Sequence, residues 1–345
     1  MTSGDGFEGA DTPEAVPPPG QPSAPSRPGL TTFTVEGRSA PALFVVGWLA
    51  SLIGLGVIAV ALLSGRADLA PILLLAGLVL LSIGLVAGAG SQGIERRARG
   101  VLAYRGPSPI LVVVASIPIS LLAVVAIGVP LALIGLEVDG PIGQLASVIA
   151  QALIYAGLIR LLVVDTGALS WAEMGVRRMD GRAVSELLSG VMLALPVIVL
   201  TIPVAAVLSV VFPVTPVSPL PPTGETAGFA IQLIAGAVVA PIGEELLFRG
   251  FATTAWARSF GARRAVIQGG VFFALVHVLT ITGNTAGEAV ALAVVAFASR
   301  LPVALALGWL FLRRGTIWAP IGLHGTFNGL LLILGEVAYR SGGGG

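Results

Sequence analysis

Apolar residues along this chain gather in blocks of about 20, the length a helix needs to cross the hydrocarbon core of a bilayer. Nine blocks can be drawn, at roughly 41–63, 69–90, 109–135, 142–164, 187–212, 227–251, 265–282, 289–312 and 316–337. Arg300 and Pro302 interrupt the eighth. The pattern predicts an all-α fold, a polytopic transmembrane helical bundle of about nine spans. The segment from Ser170 to Glu186, with Trp171, Met174 and Val176 among charges, reads either as a short interfacial helix or as a plain loop.

Arginines alternate with these blocks. Short cytoplasmic loops of bacterial-type membrane proteins collect basic residues. The loop after the second block holds Arg96, Arg97, Arg99 and Arg105, and the loop after the fourth holds Arg177, Arg178 and Arg182. Arg258, Arg263 and Arg264 follow the sixth, and Arg313 and Arg314 the eighth. The alternate loops hold only Arg66. The expectation is a cytoplasmic N-terminus, an outer C-terminus and a multi-pass protein of the inner (cytoplasmic) membrane.

Composition agrees. Of 345 residues, 55% are hydrophobic and 11% charged, against about 25% charged in an ordinary soluble domain. The net charge of +1 offers no field for nucleic acid. Every basic residue is arginine, which has a bacterial look. The absence of cysteine excludes disulfides, a thiolate nucleophile and cysteine metal sites. Four regions follow: a Pro/Gly-rich disordered cytoplasmic tail over 1–40, an N-terminal transmembrane region of about five spans over 41–225, a membrane core over 226–338, and a flexible tail over 339–345.

Ionisable residues at membrane depth are costly and are functional candidates by default. They gather in the last four blocks. The sixth contains Glu244-Glu245-Leu246-Leu247-Phe248-Arg249. Glu245 and Arg249 are four apart and share a helical face. Glu244 is rotated about 100° from Glu245 and can point into a different space, where a desolvated carboxylate suits a general base. The seventh block carries Phe273 and His277, also four apart, and the ninth carries His324 and Asn328. These are the chain's two histidines. Glu244 and His277 each lie 14 residues from a flanking arginine, Arg258 and Arg263, or about 21 Å of helix. His324 lies 10 residues beyond Arg314, or about 15 Å. Three helices thus place polar groups at a similar level. Arg300 is read as marking a break before Pro302 rather than as neutralising a carboxylate.

At these residues the sequence resembles the CPBP family of intramembrane endopeptidases, also called the ABI or CAAX-protease-like family. Its pattern is E-E-x-x-x-R, F-x-x-x-H and H-x-x-x-N on successive membrane helices, matched by Glu244-Glu245 with Arg249, Phe273 with His277, and His324 with Asn328. The resemblance covers roughly 228–333 and says nothing about 1–225. It implies hydrolysis of peptide bonds in membrane-embedded or membrane-tethered substrates. Glu244 is then the base that activates water, helped by His277. His324 and Asn328 stabilise the oxyanion, Glu245 with Arg249 orients the site, and Phe273 supports it. A metal-free glutamate mechanism is expected, with no cofactor. The alternative is zinc held by the two histidines and a carboxylate. Expected partners are a membrane protein or peptide substrate and the lipid bilayer. Two competing readings are a non-proteolytic membrane partner-binding protein and a proton- or ion-coupled transporter. An intact polar set argues against the first, and the lack of a visible inverted repeat against the second.

Overall fold

The computed structural model describes residues 35, 37–100, 103–212, 214, 220–279 and 281–342. The expected disordered tail therefore lies almost wholly outside the described residues, as do 343–345 and most of the Pro-rich stretch 213–222. The described chain is helical, with no strand among the described residues. The helices are α1 (Pro41–Leu63), α2 (Ala70–Arg99), α3 (Pro109–Leu133), α4 (Pro141–Val164), α5 (Gly181–Val211), α6 (Thr226–Phe260), α7 (Ala262–Val276), α8 (Ala286–Arg314) and α9 (Trp318–Ser341). The last runs to Ser341, into the stretch expected to be a flexible tail.

Local chemistry explains several boundaries. α1 to α4 each carry proline in the first turn, where a missing N–H costs nothing. Asp180 caps α5, accepting from the Ala183 N–H at 2.9 Å. That cap starts α5 six residues before the expected span and leaves no interfacial helix between Ser170 and Gly181. The segment is turns instead, tied by the Ser170 N–H and hydroxyl donating to Glu173 at 2.6 and 2.8 Å.

Among the described residues, eight helices are long and apolar enough to cross a membrane, against the nine blocks drawn from the sequence. The difference is the seventh expected block, 265–282. Only Ala262–Val276 is helical there, about 22 Å against a hydrocarbon core of about 30 Å. Local bonds mark its end and the start of the next helix. The His277 ring takes the Phe273 carbonyl through Nδ1 at 2.8 Å. Downstream, Thr285 caps α8 by accepting from Glu288 N, and the Glu288 carboxylate accepts from Asn284 N at 2.7 Å. Val278, Leu279 and Ile281 lengthen the apolar block without belonging to the helix.

Large apolar side chains stand exposed on outward faces, among them Leu52 and Ile53 on α1, Leu153 on α4 and Met192 and Leu195 on α5. A helix that is apolar all round suits a lipid surround. Internally, α5 packs on α9 and α7 on α8, while α4 lies against α6. Close approach at two glycines sets the helices around α6. A Cβ on Gly243 would lie 2.8 Å from the Cβ of Ala152 on α4. One on Gly325 of α9 would run into the Ala237 carbonyl of α6.

Gly243→Leu should therefore push α4 off α6. The expected cost is about 1–3 kcal/mol, read as a lower midpoint of thermal unfolding in detergent. An unchanged midpoint would show that the two helices do not touch there.

Candidate active site

The site begins with an irregularity in α6. Pro241 sits in mid-helix, where it cannot donate to Ala237 and its ring crowds that carbonyl. The helix widens into π geometry over Ile234–Val239, returns to α over Ala240–Glu245, and widens again over Leu246–Thr253. Such bulges concentrate at functional positions. The short α turn between them carries Glu244 and Glu245, and the second wide stretch carries Arg249.

Glu245 and Arg249 are sealed from solvent. The Arg249 guanidinium donates to Glu245 Oε1 at 3.0 Å and to the Ala304 carbonyl of α8 at 3.3 Å. Its Cζ lies 4.2 Å above the centroid of the Phe273 ring, a cation–π contact. His324 of α9 completes the group, with Nδ1 2.7 Å from the same Glu245 oxygen. One carboxylate oxygen thus joins α6 to α9, and Arg249 extends the link to α8. Phe273 is wedged between the two imidazoles, its ring centroid 4.3 Å from that of His277 and 5.7 Å from that of His324.

Glu244 points elsewhere, as its rotation from Glu245 predicts. Its Oε2 lies 3.5 Å from His277 Nε2 and 3.9 Å from His324 Nε2. Both separations exceed a direct hydrogen bond, and Oε2 accepts none from the described residues. The Phe273 carbonyl can only accept, so Nδ1 of His277 carries the proton. In the neutral ring Nε2 is then a bare acceptor facing Glu244. Two acceptors face one another across a gap. The side chains here are the accessible ones, 17% for Glu244 and 27% for His277, so the polar group opens at this edge and is closed at Glu245.

Asn328 lies one turn beyond His324 and donates Nδ2–H to the Gly236 carbonyl in the first wide stretch of α6, at 3.0 Å. Among the described residues no three His, Asp or Glu side chains are arranged to hold a metal ion. Nδ1 of His324 is taken by Glu245 and Nδ1 of His277 by a carbonyl, so the two Nε2 atoms are the ring nitrogens that converge on Glu244.

The structure brings together Glu244, Glu245, Arg249, Phe273, His277 and His324, with Asn328 on the flank. It also adds groups that motif reading passed over. Gly236 and Ala304 contribute carbonyls, which carry no residue-type signal. Tyr155 of α4 is buried beside Gly243, 3.7 Å from where its Cβ would be, and a lone tyrosine in an apolar block gives little sign of its place. α8 runs unbroken through Pro302, so Arg300 does not mark a break. Its NH1 donates to its own helix at Ala296, 3.0 Å away.

Residues 226–330 match the family model described as Rce1-like, type II CAAX prenyl endopeptidase Rce1-like. This segment is of the CPBP type. The matched residues begin with α6 and reach just past Asn328, so they take in every side chain of the polar cluster. With eight spanning-length helices, the CPBP-type segment supports a multi-pass membrane protein with endopeptidase activity. No curated protein and no solved structure gives a significant match to the chain.

Outside the membrane-spanning segments, Arg258 at the end of α6 pairs with Glu173 at 2.7 Å. That guanidinium, with the Ser170 N–H and hydroxyl, holds the Glu173 carboxyl down at about 2. The pair therefore persists as pH falls through the usual carboxylate range, being lost only near pH 2.

Arg249→Gln should leave Glu245 buried without its cation. Breaking a buried pair from one side costs about 3–5 kcal/mol. The expected result is a steep drop in thermal stability in detergent, partly restored by adding Glu245→Gln. Equal stability of Arg249→Gln and the unaltered chain would remove the network as a structural element.

Proposed function

We propose that this protein is an intramembrane endopeptidase that hydrolyses peptide bonds of membrane-embedded or membrane-tethered substrates with a water activated between Glu244 and His277. The observation that carries this reading is the pair of facing acceptors, Glu244 Oε2 and His277 Nε2, 3.5 Å apart, with Oε2 buried and unpartnered in side chains that are themselves partly accessible. A water there donates one hydrogen to each, which turns its lone pair toward an incoming carbonyl carbon. As the C–O bond forms, Glu244 takes the water's proton. As the C–N bond breaks, Glu244 returns that proton to the leaving amine.

The remaining groups act on charge. Asn328 spends one N–H on Gly236 and has a second to offer the oxyanion. His324, fixed through Nδ1, supports the oxyanion from Nε2 whenever it carries a second proton. Donors of this kind gain strength where water is excluded. Arg249 offsets Glu245, so the negative charge left over in the cluster is that of Glu244. The proposal includes no metal and no cofactor. It also places the N-terminus on the cytoplasmic side, from the arginine alternation.

Wild type and Glu244→Gln, expressed at equal levels, should differ in the membrane and secreted peptides seen by mass spectrometry. Fragments ending within or beside a membrane segment should appear only with wild type, and His277→Ala should behave as Glu244→Gln does. Identical profiles from correctly inserted proteins would move the reading to partner binding or transport. Cleavage should survive exhaustive chelation; loss restored by added zinc would overturn the metal-free mechanism. Single cysteines at Ser170 and Asp139, in a chain that has none of its own, test orientation. An impermeant maleimide should label the Asp139→Cys protein in intact cells and the Ser170→Cys protein only after the membrane is opened.

A further inference from the structure

We propose that Arg300 is a specificity-determining residue that binds a carboxylate of the peptide substrate beside the reacting bond. The inference rests on the endopeptidase reading above and names a chemical feature of what the site accepts. α7 and α8 pack antiparallel, with Gly270 against Leu305 and Val266 against Gly308. This register carries Arg300 to the level of the end of α7, where His277 sits. Arg300 is also 14 residues from Arg314, the same spacing that separates Glu244 from Arg258 and His277 from Arg263. All three groups thus lie about 21 Å of helix from a flanking arginine. One turn along α8, Ala304 accepts from Arg249 of the buried cluster.

At that depth an arginine side chain cannot reach the headgroups at the α8 terminus. A charge held in apolar surroundings without a counter-ion is expensive. Yet Arg300 makes no ion pair with any described residue, and its one hydrogen bond is to the Ala296 carbonyl. Its remaining N–H groups are not sealed by protein, and the residue is half-buried. The cluster's carboxylates are turned elsewhere, Glu245 to Arg249 and His324 and Glu244 to the two imidazoles. A guanidinium so placed presents planar donors that match a carboxylate in two-point fashion. Such a carboxylate comes either from the C-terminus of the peptide or from an Asp or Glu side chain.

Full-length protein carrying Glu244→Gln, in lipid nanodiscs, reads this by binding without turnover. The probes are two pairs of fluorescent, acyl-anchored apolar peptides. One pair differs only in a C-terminal carboxylate against an amide, and the other is amidated and differs in one Asp against Asn. The acid member of at least one pair should bind about ten-fold or more tighter, and the pair that shows it identifies the source. Adding Arg300→Gln should bring the ratio toward one, while Arg300→Lys, which keeps the charge but loses the two-point geometry, should retain only part of it. Equal binding within both pairs, no binding of any probe, or a preference that persists in Arg300→Gln overturns the assignment. If Arg300→Gln does not fold, the ratios with Arg300 and with Arg300→Lys decide. Cleavage of the same peptides by the chain with Glu244 intact separates the two claims. An acid preference without cleavage keeps the anion site and sinks the protease reading, and cleavage without an acid preference does the reverse.

Discussion

A single carboxylate oxygen, Oε1 of Glu245, holds the core of this protein together. It accepts from Arg249 one turn along its own helix and meets Nδ1 of His324 across the interface with α9. Neither the carboxylate nor the guanidinium reaches solvent, so each is tolerable only while the other is present. Arg249 extends the network to α8 through Ala304 and lies on the face of Phe273 from α7. Four helices are therefore tied to a group that none of them could bury alone. The consequence for chemistry is indirect. With Glu245 committed to structure, its neighbour Glu244 turns toward the open edge, and His324 is locked so that Nε2 also faces it.

Backbone irregularity makes this arrangement available. A regular helix would meet Pro241 with a clash and an orphaned carbonyl at Ala237. Widening the helix on both sides of Ala240–Glu245 accommodates the proline and leaves carbonyls at Gly236 and Ala237 turned outward to α9. Asn328 binds the first, and Gly325 comes close to the second because it has no side chain. α7 ends at Val276 and delivers His277 at its tip rather than along its side. The ring–carbonyl bond at that end sets which imidazole nitrogen faces Glu244.

Much of this was legible in the sequence, for identifiable reasons. Hydropathy marks spanning helices because lipid demands long apolar runs, and it located α1 to α6, α8 and α9, although α2 and α6 run nine residues past their expected ends and α5 starts six residues early. At the seventh block the helix ends before the apolar run does, since Val278, Leu279 and Ile281 are apolar without being helical, and hydropathy is blind to a histidine that caps its own helix. The cluster was readable from four-residue spacings, Glu245 to Arg249 and Phe273 to His277, which survive as contacts. Its accessories were not. Gly236 and Ala304 act through carbonyls that any residue supplies, and Tyr155 comes from α4, two helices before the glutamate pair. Arg300 was noticed but misread, because proline two residues later suggested a break that the helix does not make.

The account turns on Glu244 and His277 both presenting acceptors to the same space, and the protein's two histidines allow a direct test. Nitrogen-15 NMR of histidine-labelled protein in lipid bilayers reports, for each ring, which nitrogen bears hydrogen. At a pH where His277 is neutral, it should be found with hydrogen on Nδ1 and a bare Nε2, and that signal should be disturbed by Glu244→Gln. Hydrogen on Nε2 with a bare Nδ1 would contradict the account, because the ring would then donate to Glu244 directly and leave no second acceptor for a water.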